Sequence, residues 1–206
     1  MTTSPDFQFK LLTLGDSNVG KTSIILRYTE NTFSKNSQTS SLGVDYKTKT
    51  ITTENQTCKL CLWDTAGQEK FNHMTNQYYK ECDGVLMIFD LTNKKSYDKV
   101  LYWVDELKNA VNIDNVSIVL LGNKVDEIEK REITKEEGEK LASKIGVWYY
   151  EVSALTRDNI DKAIKFLVKD IINKKTSGDK PKKVEKKKIR LSEEENDDNV
   201  QSSKCC

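Results

Sequence analysis

No apolar run in this chain approaches the roughly 18–20 residues that cross a bilayer, so nothing in it reads as a membrane span. Residues Met1 to Asp6 are polar and lack the apolar core of a signal peptide, and the expected address is cytosolic. An excess of one charge is missing too. The 33 Lys and Arg stand against 32 Asp and Glu, and a net charge of +1 argues against a dedicated nucleic-acid binder. Metal-ligating side chains of the zinc type are scarce: one histidine, His73, and five cysteines. Cys58 and Cys61 have CxxC spacing but fall in an alternating run that reads as a strand, where positions three apart face opposite sides. With no second such pair, they read as strand cysteines rather than zinc ligands.

What is present fits one domain of ordinary size with an appendage: 206 residues, 36% hydrophobic and 32% charged, suited to a single packed core. From Phe9 to Asn173 apolar runs alternate with helix-like segments. Phe9–Leu14 reads as a short buried strand ending at a glycine, and Lys21–Glu30 as a helix. Leu42–Thr52 and Thr57–Asp64 alternate apolar and polar residues across Glu54-Asn55-Gln56, which predicts an antiparallel hairpin. Gly84–Asp90, Val116–Gly122 and Val147–Val152 are denser runs, the pattern of strands covered on both faces. Helical patterns lie at Lys94–Asn109 and Thr134–Lys144, and a last helix carries Ile160, Ile164, Leu167 and Ile171 as one apolar stripe. This alternation predicts an α/β fold, a mostly parallel sheet with helices on both faces.

Composition breaks at Lys174. Residues 174–206 have no periodic apolar face and no aromatic residue, which predicts a disordered tail after a domain over residues 1–173. Lys180–Arg190 holds seven Lys or Arg and one Glu, whereas Glu193–Asp198 is acidic except for Asn196. The run ends in Cys205-Cys206, exposed cysteines that invite lipidation and make the tail a tether rather than a plain solvated linker.

The strongest local signal is Gly15-Asp16-Ser17-Asn18-Val19-Gly20-Lys21-Thr22, which fits the P-loop pattern G-x-x-x-x-G-K-[ST] between a strand and a helix. Its glycines let successive N–H groups turn toward phosphate oxygens, and the helix N-terminus adds favourable partial charge. Lys21 is expected to reach the β- and γ-phosphates of a nucleotide, and the Thr22 hydroxyl to bind Mg²⁺. That loop alone does not choose between a GTPase, an ATPase and a nucleotide kinase.

Leu60-Cys61-Leu62-Trp63-Asp64-Thr65-Ala66-Gly67-Gln68-Glu69 narrows the choice. Asp64 ends a strand, where its carboxylate can hold Mg²⁺ through a water. Gly67 has no side chain to obstruct its N–H from a γ-phosphate, and Gln68 can orient an attacking water. Asn123-Lys124-Val125-Asp126 follows a strand. Its Asp126 carboxylate can accept from guanine N1–H and the exocyclic amine, an arrangement adenine does not offer, so the wrong base leaves the acceptor unpaired. Asn123 can anchor the loop and meet the base edge, and the Lys124 stem can pack over the ring. Ser153-Ala154-Leu155, after the next strand, offers a backbone N–H to guanine O6. In this order, at the carboxyl edge of one sheet, the motifs describe a GTP/GDP site.

Together these residues resemble the Ras superfamily, and its Rab branch in particular, over roughly Phe9 to Ile172. Leu42-Gly43-Val44-Asp45-Tyr46, the Trp63–Glu69 run, Tyr78-Tyr79, Phe89-Asp90-Leu91-Thr92 and the terminal Cys205-Cys206 carry the likeness. The resemblance implies a P-loop NTPase of the Ras-like G-domain type with a six-stranded sheet. It implies Phe33 against the guanine, switch I around Ser41 with that hydroxyl on Mg²⁺, and switch II from Gln68 to about Tyr79. Effectors would meet Leu42, Gly43, Val44, Asp45 and Tyr46, and sense Tyr46, Trp63 and Tyr78 as an aromatic cluster. It further implies a monomer that cycles with an exchange factor, a GTPase-activating protein, a GDP-dissociation inhibitor and a prenylation escort. Two geranylgeranyl groups on Cys205 and Cys206 would place it on the cytoplasmic face of an intracellular membrane, with a cytosolic pool, because one lipid gives only marginal attachment.

Some positions depart from the family pattern. Ser41 stands where threonine is usual and leaves switch I less restrained, Asn18 replaces glycine or a small residue, Lys70 replaces arginine, and Leu155 replaces lysine. No arginine near Gln68 offers transition-state charge, so slow intrinsic turnover, accelerated by an activating protein, is expected. Two rival readings are a non-hydrolysing scaffold and an ATP-using P-loop enzyme. Intact Lys21, Thr22, Asp64, Gln68, Asn123 and Asp126 oppose the first, and Asn123–Asp126 the second.

Overall fold

The computed structural model describes residues 4–33, 45–53, 55–65 and 79–176. Six strands form one sheet: β1 (Phe7–Leu14), β2 (Asp45–Thr53), β3 (Gln56–Asp64), β4 (Gly84–Asp90), β5 (Ser117–Asn123) and β6 (Trp148–Glu151). Their order is β2-β3-β1-β4-β5-β6. β2 and β3 pair antiparallel, as the alternating hairpin pattern predicts, and every other pairing is parallel.

Alternation along the central strands sends side chains into two cores. On one face Phe9, Leu11, Leu86, Ile88, Val119 and Leu121 meet α1 (Lys21–Glu30) and the last helix, α5 (Ile160–Thr176). On the other, Leu12, Leu14, Met87, Phe89 and Leu120 meet α3 (Val100–Ala110) and α4 (Lys135–Ile145). β4 is buried along its whole length, as its unbroken apolar run predicts. Cys58 joins the first core, whereas Cys61 accepts the Tyr46 hydroxyl at 3.2 Å, so the CxxC pair is split between the two faces of β3.

Three local outcomes differ from the sequence reading. The expected helix Lys94–Asn109 is two segments, α2 (Lys94–Asp98) and α3, meeting at Lys99. The break is slight: Lys99 keeps helical dihedrals (φ −78°, ψ −8°), its N–H bonds Lys95 O at 3.2 Å, and its ammonium reaches Asp16 at 3.1 Å. Second, Val147–Val152 does not give a strand covered on both faces. β6 is an edge strand with Trp148 48% exposed, because among the described residues β5 alone pairs with it. Phe166 of α5 packs edge-on against that ring at 4.9 Å. Third, α5 continues past the change of composition at Lys174. Lys174 Nζ donates to Val116 O at 2.8 Å and Lys175 pairs with Asp83 at 2.6 Å, cations suited to a helix C-terminus. Among the described residues no helix is long and apolar enough to cross a membrane.

Candidate nucleotide site

β1, β3, β4, β5 and β6 all deliver residues to the same carboxyl edge of the sheet, where open α/β sheets bind ligands. β1 runs into Gly15–Gly20 and α1. Gly15 has φ +146°, and a Cβ there would stand 2.1 Å from Ile88 O. Gly20 has φ +96°, and its Cβ would stand 2.3 Å from Asn123 Nδ2. Asn18 takes the left-handed region as well (φ 63°), which its short polar side chain tolerates. Gly20 caps α1 with no side-chain cap hydrogen bond, and the partial positive charge of a helix N-terminus favours an anion there.

Lys21 is 6% exposed, and its Nζ donates to Gly15 O at 3.1 Å and Asp16 O at 2.7 Å. Burial lowers its ammonium to about 8, against the opposing pull of Asp64 and Asp16. The Asp16 carboxylate is turned to the fold: Oδ1 accepts from Ser17 N at 2.9 Å and Oδ2 pairs with Lys99. Val19 is buried and gives its carbonyl to Asn123.

The Thr22 hydroxyl and the Asp64 carboxylate are in direct contact. Asp64 is 3% exposed, and its other oxygen accepts from Thr13 Oγ1 at 3.3 Å. Thr13 also accepts from Thr65 N at 3.4 Å, while its own carbonyl takes the Thr65 hydroxyl at 2.6 Å. This buried threonine, which positions Asp64, was not singled out in the sequence. Its signal is a polar residue between Leu12 and Leu14, inside the run Phe9–Leu14 that holds one other polar residue, Lys10. Two hard oxygen donors from Thr22 and Asp64 suit Mg²⁺, which keeps waters and phosphate oxygens as its other ligands.

The other end of the site comes from β5 and β6. Asn123 is 1% exposed and spends both ends of its amide on the protein. Nδ2 donates to Val19 O at 2.8 Å, and Oδ1 accepts from Ala154 N at 3.2 Å. One side chain thus ties the loop Gly15–Gly20 to the loops that follow β5 and β6. Lys124, at φ 69°, is held by Asp90 at 2.5 Å, and Asp90 Oδ1 also accepts from Thr92 N and Oγ1. Asp126 Oδ1 accepts from Ser153 Oγ at 2.5 Å. Phe33 packs partly buried on the first core, beside Arg27 of α1. Arg27, also not singled out in the sequence, donates to the carbonyls of Ala154 and Leu155.

Tyr46 and Trp63 meet edge-on with centroids 5.1 Å apart, and Tyr46 is 44% exposed. Asp45 beside them accepts from Tyr46 N at 2.7 Å. A groove of about 540 Å³ runs between Tyr46, Trp63, Lys10 and Asp83, on a different part of the surface from the P-loop. Ser41, Leu42, Gly43, Val44, Gly67, Gln68, Tyr78, Cys205 and Cys206 lie outside the described residues.

The family model described as "Ras family" matches residues 10–173. The chain is 40% identical over 179 residues to Ras-related protein Rab-8A of Bos taurus, covering 85% of this chain and 86% of that protein. It is also 40% identical over 169 residues to Ras-related protein Rab-8B of Homo sapiens, covering 82% and 81%.

Proposed function

The chain belongs to the Ras family, and on that footing we propose how its own residues run the switch. It is a Rab-type small GTPase that hydrolyses GTP to GDP and phosphate and recruits effectors in vesicle traffic. The observation that carries the residue assignments is the continuity of the site. Buried Lys21 and the Thr22–Asp64 pair at one end are linked through Asn123 to Asp126 and Ser153 at the other.

In this reading the N–H groups of Gly15–Thr22 and the Lys21 ammonium cradle the phosphates. Lys21 would exchange its two carbonyl partners for phosphate oxygens. Thr22, Asp64 and Ser41 would hold Mg²⁺, which would supply positive charge to offset that of the phosphates. Asp126 accepts from the guanine edge, and Phe33 and the Lys124 stem flank the ring. The Ala154 N–H, whose bond to Asn123 is long, can be shared with guanine O6.

Gln68 orients the attacking water. Ser41 and Gly67 bond the γ-phosphate while it is present, so effectors that read Leu42–Tyr46, Trp63 and Tyr78 prefer the GTP form. An exchange factor reloads the site and a GTPase-activating protein supplies transition-state charge. A prenylation escort and a GDP-dissociation inhibitor handle a chain lipidated on Cys205 and Cys206, which resides on the cytoplasmic face of an intracellular membrane with a cytosolic pool.

Single-turnover hydrolysis of bound GTP tests the assignment. Gln68→Leu is expected to slow it by about a hundredfold, the scale of losing one transition-state contact. An unchanged rate, with and without an activating protein, would remove Gln68 from the reaction.

A further inference from the structure

Arg27 lies in the last turn of α1 and makes contacts that no motif describes. Its Nε donates to Ala154 O at 2.8 Å and its Nη2 to Leu155 O at 2.9 Å. Nη1 donates to Asn31 O at 3.0 Å, and its Cζ stands 5.7 Å from the centroid of the Phe33 ring. One planar fork therefore joins the end of α1, two peptides of the loop after β6 and an aromatic ring, a geometry that suits guanidinium better than ammonium.

The two peptides transmit this hold further. Because a peptide unit is rigid and trans, the direction of a carbonyl sets that of the following N–H. With Ala154 O and Leu155 O drawn toward Arg27, the N–H groups of Leu155 and Thr156 point the other way. Both donate to Ser153 Oγ, at 3.1 and 3.0 Å. A hydroxyl whose two lone pairs are occupied has only its proton left to give. Ser153 gives it to Asp126 Oδ1 at 2.5 Å. The contacts run unbroken from Arg27 through two peptides and one hydroxyl to the carboxylate assigned to the guanine edge. A second guanidinium steadies the near end: Arg157 donates to Asn31 Oδ1 at 2.9 Å and is itself paired with Asp161 at 2.7 Å.

We infer that Arg27 is a positioning residue for base recognition: without touching the base, it sets the Ser153–Asp126 pair and the Phe33 ring that receive it. This rests on the guanine-site reading above. Loss of the fork would let the loop after β6 and the ring drift independently, loosening the fit to the base more than the grip on the phosphates.

The test measures release of a fluorescent ribose-labelled GDP from the full chain in Mg²⁺ buffer. Alongside it, GDP competes against inosine diphosphate, which lacks the exocyclic amine that Asp126 would accept from. Arg27→Met keeps the stem and removes the fork, whereas Arg27→Lys keeps charge but cannot serve both carbonyls in one plane. Arg27→Met is expected to release nucleotide about tenfold faster and to lose about tenfold of the GDP preference, the scale of lost hydrogen bonds from a charged group. Arg27→Lys is expected to fall between it and the wild type. Variants that keep the wild-type GDP-to-inosine-diphosphate ratio would overturn the inference even if release is faster, because general loosening of α1 speeds both nucleotides alike. If Arg27→Met does not fold, Arg27→Lys decides by the same ratio. A wild type that binds GDP no better than ADP would instead overturn the guanine-site reading, and this inference with it.

Discussion

The two ends of the proposed nucleotide site are built by different means. At the end assigned to phosphate, eight consecutive residues, Gly15–Thr22, offer backbone: two glycines and Asn18 at positive φ, and a helix N-terminus with no side-chain cap hydrogen bond. At the end assigned to the base, the groups offered are side chains held by other side chains. Ser153 holds Asp126, Asp90 holds Lys124, and Asn123 spans the gap to Val19. Backbone construction tolerates almost no substitution at its tight points, because a Cβ has nowhere to go. Side-chain construction fails in grades, because each link can be lost separately. The two ends should therefore break differently.

Gly20→Ala is expected to have the largest effect. The new Cβ would combine a left-handed backbone with a 2.3 Å approach to Asn123 Nδ2, the group that ties the two ends together. Strain and the lost buried bond together predict about 3 kcal/mol of destabilisation, visible in urea unfolding, with nucleotide binding lost. Wild-type stability would mean that the loop is not held by its backbone.

Asp126→Asn comes next. Asparagine keeps an Oδ1 acceptor for Ser153, so the fold should hold while preference shifts from GTP toward xanthosine triphosphate by on the order of a hundredfold. Undiminished GTP selectivity in a competition assay would take Asp126 out of the base site.

The smallest effect is in pH dependence. Burial lowers Lys21 to about 8, against 10.5 for an ordinary lysine. Between those values the unfolded chain binds more protons, so the lysine's contribution to nucleotide-free stability rises with pH, full above 10.5 and gone below about 8. Phosphate favours the charged form, so binding takes up a proton above pH 8, and affinity for GDP should fall there by up to about tenfold per pH unit. Lys21→Arg, always charged, should flatten that profile, and a flat wild-type titration would contradict the assignment.

This division also explains what the sequence made legible. Gly15–Thr22 and Asn123–Asp126 could be read directly because each motif is contiguous and its chemistry is local. The alternation of Leu60, Cys61 and Leu62 correctly put Cys58 and Cys61 on opposite faces. Thr13 and Arg27 could not be read, since their partners Asp64 and Ala154 lie 51 and 127 positions away. No period or spacing links such residues before the sheet and α1 bring them together. The edge position of β6 was hidden for a related reason. Apolar composition reports burial propensity, but the order of strands decides which one is left with a single neighbour. The small tightening at Lys99 leaves no mark in the apolar stripe that runs through α3.

One measurement bears on the central claim most directly: the identity and fate of nucleotide on the purified wild-type chain. Extraction and chromatography should yield GDP or GTP, and single-turnover incubation of the GTP form with Mg²⁺ should convert it slowly to GDP and phosphate while added ATP is ignored. Recovery of ADP or ATP, or a GTP form that never turns over even with an activating protein, would contradict the account.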